Sequence, residues 1–398
     1  MFKKLGPGVL VAAAFIGPGT VTACTLAGAK FGYALLWAML LSILATVVLQ
    51  EMAARLGIIS QQGLADVIKS ELKTPWIKYT IIVIILGAIV IGNAAYEGGN
   101  ISGATLGLEA IFGIEYTKFY PFSIGIIACA LLYFGNYKVL ETALVSLVIL
   151  MSVSFLITAI ITKPDMGAIL QGLFVPSVPE QSILTIMALV GTTVVPYNLF
   201  LHASLVSEKW TKSDLQPARW DTIVSITLGG LVSMGIMIAA TTIPNKDIRS
   251  VLDLAMGLEP LYGSAAKYCI GIGLFAAGIT SAITAPLAAA YVVNSCFGWK
   301  ASLTDWRFKL VWMLIIGLGV FFLSFGIKPI EIIKFAQIAN GILLPIIAIF
   351  LVWVVNRKSV LGTYKNNVIQ NSVGILIIVI TLILAIKTIG TVLGYSNV

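Results

Sequence analysis

Two short stretches carry residue types that could hold a small solute inside an otherwise apolar chain. Gly17-Pro18-Gly19-Thr20 interrupts the apolar run from Val9 to Ala29, and Val195-Pro196-Tyr197-Asn198 interrupts the run from Ile183 to Leu205. In each, a proline without an N–H removes a helical hydrogen bond, and glycines flank the first one. Simple proline kinks are the plain alternative. A full break frees backbone groups at mid-membrane depth, which is tolerated only where they are buried in protein or line a polar cavity. Breaks at matching places in two halves are the sequence mark of a secondary transporter's binding site. The chemistry on offer is non-covalent: freed backbone, the Thr20 hydroxyl, the Tyr197 phenol and the Asn198 amide.

The elements that must position these groups are membrane helices. Hydrophobic residues make up 59% of the chain and charged residues 11%, against about 25% charged in soluble domains; mean hydropathy is +1.01. No cleavable signal peptide is apparent, since Met1-Phe2-Lys3-Lys4 leads directly into the broken first span. The net charge of +8 therefore reads as loop charge, not as a nucleic-acid footprint. Cys24, Cys129, Cys269 and Cys296 lie in or beside apolar stretches without a CxxC, so they read as small apolar filler. With no nucleotide loop, catalytic triad or spaced His/Cys cluster, an enzyme is not expected, nor is a cofactor, nor an obligate protein partner.

A span needs about 20 apolar residues. Eleven are predicted: 7–31, 33–56, 77–107, 120–136, 139–162, 182–207, 219–243, 262–294, 309–326, 331–355 and 370–394. The third and eighth are long, which predicts tilt or extension beyond the bilayer. Sixteen Lys and Arg lie on the N-terminal side of the spans and seven on the other. This predicts a plasma (inner) membrane protein with a cytoplasmic N-terminus and an external C-terminus. Spans 1–5 (residues 1–162) and 6–10 (residues 181–355) each start with a broken helix. Five is odd, so the second set enters from the opposite side as an inverted repeat, the frame of alternating access. Span 11 (residues 369–398) is an addition.

Further residues bring a resemblance into view. Gly6-Pro7-Gly8, the first break, Leu26-Ala27-Gly28-Ala29-Lys30-Phe31-Gly32-Tyr33, Leu35-Leu36-Trp37, Ala53-Ala54-Arg55-Leu56-Gly57-Ile58 and Pro196-Tyr197-Asn198-Leu199-Phe200-Leu201-His202 resemble the Nramp divalent-metal transporters. Ala276-Ala277-Gly278, Gln337 and Pro345 match more weakly. The resemblance implies an all-α, LeuT-type 5+5 inverted repeat with helices 1 and 6 broken. It also implies a substrate site from Gly17, Thr20, Val195, Tyr197, Asn198 and Gln337.

The departures are informative. The family's first break reads Asp-Pro-Gly-Asn, whose acid and amide bind the metal; here those positions are Gly17 and Thr20. The family's second break carries a Met thioether and, two residues on, a His; here they are Val195 and Tyr197. Two acids three apart on the third span form the family's proton route; here they correspond to Glu97 and Asn100. A divalent ion needs carboxylate oxygen and a soft one gains from sulfur, so no transition-metal site is expected. Without the acid, the positive ends of the half-helices are unopposed and favour a small anion or neutral solute.

In sodium-coupled members of the wider LeuT-type fold, an Ala carbonyl and Thr and Ser hydroxyls three and four residues on bind Na⁺ with carbonyls of the first break. Ala277, Thr280 and Ser281 repeat that spacing, with Gly17 on the break side. The alternative is that both hydroxyls bond their own i−4 carbonyls. Glu97 reads as a proton relay or as a neutral structural acid. His202, the single histidine, reads as a pH-sensitive gate or a core residue. Lys30 reads as snorkelling or as drawing anions toward the outer vestibule. The reading that results is Na⁺-coupled uptake of a small anion, bicarbonate first, by symport across the lipid bilayer. Divalent-cation (Mn²⁺ or Mg²⁺) transport through a rearranged site is the alternative, and a non-transporting membrane sensor is a third.

Overall fold

The computed structural model describes residues 16–135, 138–299 and 302–395. Gly6-Pro7-Gly8, the first half of span 1 and the last residues of the 369–398 segment lie outside them. The described chain is helical: α1 (Pro18–Phe31), α2 (Leu36–Ser60), α3 (Pro75–Phe112), α4 (Tyr120–Phe134), α5 (Lys138–Ile161), α6 (Ile183–Thr193), α7 (Pro196–Lys209), α8 (Leu215–Ala240), α9 (Ala266–Phe297), α10 (Trp306–Leu323), α11 (Pro329–Val355) and α12 (Val368–Val392). Shorter helices Leu64–Glu71, Met166–Phe174 and Val251–Ala255 lie between them. Where the described residues cover them, the predicted span boundaries agree with these helices to within a few residues.

Local sequence explains where the helices start. Pro18, Pro75, Pro196 and Pro329 each open a helix, where a missing N–H costs nothing and the fixed φ is already helical. Asp165, Asp305 and Asn367 cap their helices through side-chain oxygens. The long third span is real: α3 has 38 residues, about 57 Å, well beyond a hydrocarbon core of about 30 Å.

The most extensive helix–helix contact joins α3 to α9. A Cβ on Gly278 would stand 2.6 Å from the Ala104 amide nitrogen, and one on Gly107 would stand 2.5 Å from the Gly271 carbonyl. Such small-residue contacts let membrane helices approach where no hydrophobic drive separates them from lipid. Burial then ranks the spans. The apolar stretch of Ile183–Lys209 is 89% buried, whereas that of α12 is 28% buried. Span six is therefore the centre of the bundle, and the eleventh lies at its edge.

Arg55, at the end of the predicted span 33–56, is 1% exposed. Its guanidinium donates to both Glu51 oxygens, to the Tyr364 carbonyl at 2.6 Å and to Asn366 Oδ1 at 2.7 Å. Arg219 Nε donates to Glu51 Oε1 at 2.8 Å. This knot ties α2, α8 and the turn before α12 together.

Candidate functional site

The second break is two residues long. α6 stops at Thr193, Val194 and Val195 are non-helical, and α7 restarts at Pro196. The Asn198 amide donates to the Val195 carbonyl at 3.1 Å, so the new helix closes its first turn at once. The first break is described from Ile16 onward. Gly17 is extended (φ −101°, ψ −175°), and its carbonyl accepts from the Thr20 and Val21 amides at 3.1 and 3.2 Å. That carbonyl is thereby committed to α1. The second break is a true restart, and at the first the described chain is non-helical at Ile16 and Gly17 before α1 begins at Pro18, so neither proline merely kinks a continuous helix.

The two breaks face each other across α11. Thr20 Oγ1 and Thr192 Oγ1 are hydrogen-bonded at 2.9 Å, joining α1 to α6. Gln337 of α11 fits between them. A Cβ on Gly19 would run into the Gln337 side-chain amide, and one on Gly191 into the Gln337 main-chain carbonyl. The first obstacle is the end of a flexible side chain; the second is backbone and cannot give way. Pro18 is backed in the same manner by Gly103 of α3.

Every predicted substrate residue here is closed off from solvent. Thr20, Val195, Tyr197 and Asn198 are 1% exposed and Gln337 is 2% exposed. The Tyr197 ring meets Tyr96 of α3 edge-to-face at 5.4 Å. Asn198 has neither its side-chain oxygen nor its nitrogen bonded to protein, and Gln337 Oε1 is likewise without a protein partner. Asn340, three residues beyond Gln337 on the same helical face, adds a buried Nδ2 of the same kind. Asn340 and Thr192 were missed from sequence. The Gln-x-x-Asn spacing could have revealed the first; nothing local marks the second.

The set is chemically neutral. Among the described residues no group of three or more His, Cys, Asp or Glu side chains converges. Glu97 is fully buried on α3, where its Cγ packs on Gly319 of α10. Its Oε2 accepts from Asn100 Nδ2 at 3.2 Å. His202 Nδ1 pairs with Gln50 Oε1 of α2 at 2.9 Å, which makes it part of the α2–α7 contact. Lys30 is exposed at the far end of α1, 3.4 Å from Gln181 Oε1.

On α9, Ala277 and Ser281 are 1% exposed. Thr280 is half-buried and donates to the Ala276 carbonyl at 2.7 Å. The two sequence alternatives for Thr280 are therefore compatible, because a hydroxyl that has given its single proton keeps both lone pairs. Beside it lies a cavity of about 120 Å³, also lined by Leu144 of α5 and Leu201 and Leu205 of α7.

A multi-pass bundle with helices restarting at facing buried positions defines a transporter of the LeuT type. Solved structures agree on the fold. The Eremococcus coleocola manganese transporter, in complex with an aromatic bis-isothiourea substituted compound, superposes with TM-score 0.78 at 19% identity, over 97% of this chain and 86% of that one. MhsT in complex with L-phenylalanine gives 0.60 at 18% identity, over 96% and 97%. Mhp1, a nucleobase-cation-symport-1 family transporter, gives 0.58 at 14% identity, over 98% and 93%. Within that class the chain belongs to the Nramp family: the model for natural resistance-associated macrophage protein-like sequences matches residues 8–391. It is 26% identical over 395 residues to the divalent metal cation transporter MntH of Caldanaerobacter subterraneus subsp. tengcongensis, covering 96% of this chain and 91% of that protein. It is 25% identical over 405 residues to MntH of Bacillus subtilis, covering 96% and 92%.

Proposed function

We propose that this Nramp-family transporter moves a small anion, bicarbonate fitting best, together with Na⁺. The observation that carries the reading is the Asn198 amide: 1% exposed, with oxygen and nitrogen both free of protein partners, in the first turn of a restarted helix. A buried amide with no partner costs about 1–3 kcal/mol, so its retention asks for a ligand to satisfy it. A bicarbonate offers that amide both an acceptor and a donor. The N-termini of α1 and α7 supply the positive end of two helix dipoles, and no carboxylate opposes them at Gly17. The same neutral set is poor for a divalent ion, which calls for anionic oxygen.

Sodium completes the electrical balance. An anion entering an inside-negative cell is opposed by about 2.3 kcal/mol per charge per 100 mV, and a co-transported cation cancels that term. The ligands we assign are the Thr280 and Ser281 hydroxyls and the Ala277 carbonyl, joined by backbone of the first break near Gly17.

The second reading, divalent-cation transport, draws on the MntH relatives. Flux into proteoliposomes decides. Expected is bicarbonate uptake that collapses when choline replaces Na⁺, with Asn198→Ala losing far more flux than His202→Ala. Saturable micromolar Mn²⁺ binding by calorimetry, abolished in Asn198→Ala, would replace the anion reading with the cation one.

A further inference from the structure

We propose that the groove between α2, α8 and the start of α12 holds an anionic phospholipid, its phosphate on Arg219 and Lys365 and an acyl chain running along α2 toward the break in span six. Arg219 uses only Nε, on Glu51; among the described residues its two terminal nitrogens have no partner. Lys365 is exposed and also unpaired there. Both line a cavity of about 560 Å³ with an apolar floor of Val47, Val48, Met52 and Ile223. Its lining holds Arg55, Arg219 and Lys365 against a single acid, Glu51. Arg55 consumes Glu51 already, so the rim keeps an uncompensated positive charge. Lys212 lies just outside, over the Tyr364 ring at 4.9 Å.

The apolar part says that the anion brings a tail. A second cavity, of about 210 Å³, continues between α2 and α12 with almost wholly apolar walls, among them Ala45, Ile377, Val190 and Val194. Val48 lines both cavities, so they are neighbours along α2. The depth suits one leaflet. Twelve residues of α2 separate Glu51 from Met39, whose sulfur accepts from Thr193 beside the break. That is about 18 Å along the helix, against a leaflet of about 15 Å. The mouth opens to lipid, since Trp220, Val368 and Ile369 beside it are 60%, 82% and 74% exposed. It lies at the end that the Lys and Arg distribution assigns to the cytoplasm, where basic pockets between helices bind acidic headgroups.

The test is retention of lipid by the full chain, extracted from vesicles of phosphatidylglycerol and phosphatidylcholine and read by native mass spectrometry. Wild type should keep one phosphatidylglycerol and no phosphatidylcholine. Arg219→Gln with Lys365→Ala should weaken retention about thirtyfold, by the usual contribution of two basic groups at an acidic surface. Lys365→Ala alone, on an exposed side chain, should weaken it several-fold without touching the fold. Ala45→Phe should shorten retention by filling the channel, and Lys73→Ala should change nothing. Equal retention of the two lipids, or an unaffected Lys365→Ala, would overturn the proposal. So would glycerol 3-phosphate displacing the lipid at equal concentration, which would mark a site for soluble phosphate.

Discussion

Two buried polar clusters, one on α2, α8 and the start of α12 and the other on α1, α6, α7 and α11, could hardly be more different. At the Arg55 knot all three nitrogens of the buried Arg55 guanidinium are used. Arg55 donates to Glu51, Tyr364 and Asn366, and the Asn366 amide goes on to Asn371 Oδ1 at 3.0 Å. At the breaks the groups are neutral, and Asn198, Gln337 and Asn340 keep atoms without protein partners. A saturated buried network has spent its valences on holding the fold. An unsaturated one has valences left for something that comes and goes. Burial alone would rank them equally; partner accounting separates structure from function.

Substitution can break this contrast. The largest effect belongs to Gly191→Ala, whose Cβ has no room against the Gln337 carbonyl. It should abolish flux while Gly87→Ala, with open space around it, leaves flux intact; proteoliposome uptake measures both. Next is Glu51→Ala, which strands Arg55 as an uncompensated buried charge. Loss of one partner from such a pair costs about 3–5 kcal/mol, to be seen as a lowered unfolding midpoint and poor recovery. Thr280→Val keeps the shape of the α9 site and removes an oxygen. At about 1–3 kcal/mol it should weaken the apparent Na⁺ affinity roughly tenfold or more, read from uptake against external Na⁺; an unchanged curve would remove sodium from the mechanism. The smallest effect is expected for Thr20→Val, which gives up the 2.9 Å bond to Thr192. Its stability cost should be about 1 kcal/mol, with a larger relative loss of flux. If the stability loss dominates instead, the break cluster is structural after all.

What sequence could show divides along the same line. The breaks were legible because proline and glycine act locally: Pro18 and Pro196 open helices where the chain had to restart. The spans were legible because lipid demands long apolar runs. The partners were not. Nothing near Thr192 announces that it meets Thr20, 172 residues away. The depth of Arg55, at the end of the predicted span 33–56, was not legible, because composition assigns sides, not depth; only the fold brings Tyr364 and Asn366 over it. Glu97 was legible as an intramembrane acid, yet its packing on Gly319 of α10 depends on how α3 is rotated.

The closeness of Gln337 to Gly19 and Gly191 sets a rule for anyone redesigning this protein. A saturation library across the breaks would find its freedom very unevenly spread. Position 191 would accept glycine alone, because the atom in the way is main chain. Position 19 is more permissive, because there the obstacle is the end of the flexible Gln337 side chain, which can turn aside. A change of cargo attempted at the breaks would therefore stall at Gly191, and libraries that keep 191 fixed and vary 19 and 337 together are the ones with room to explore.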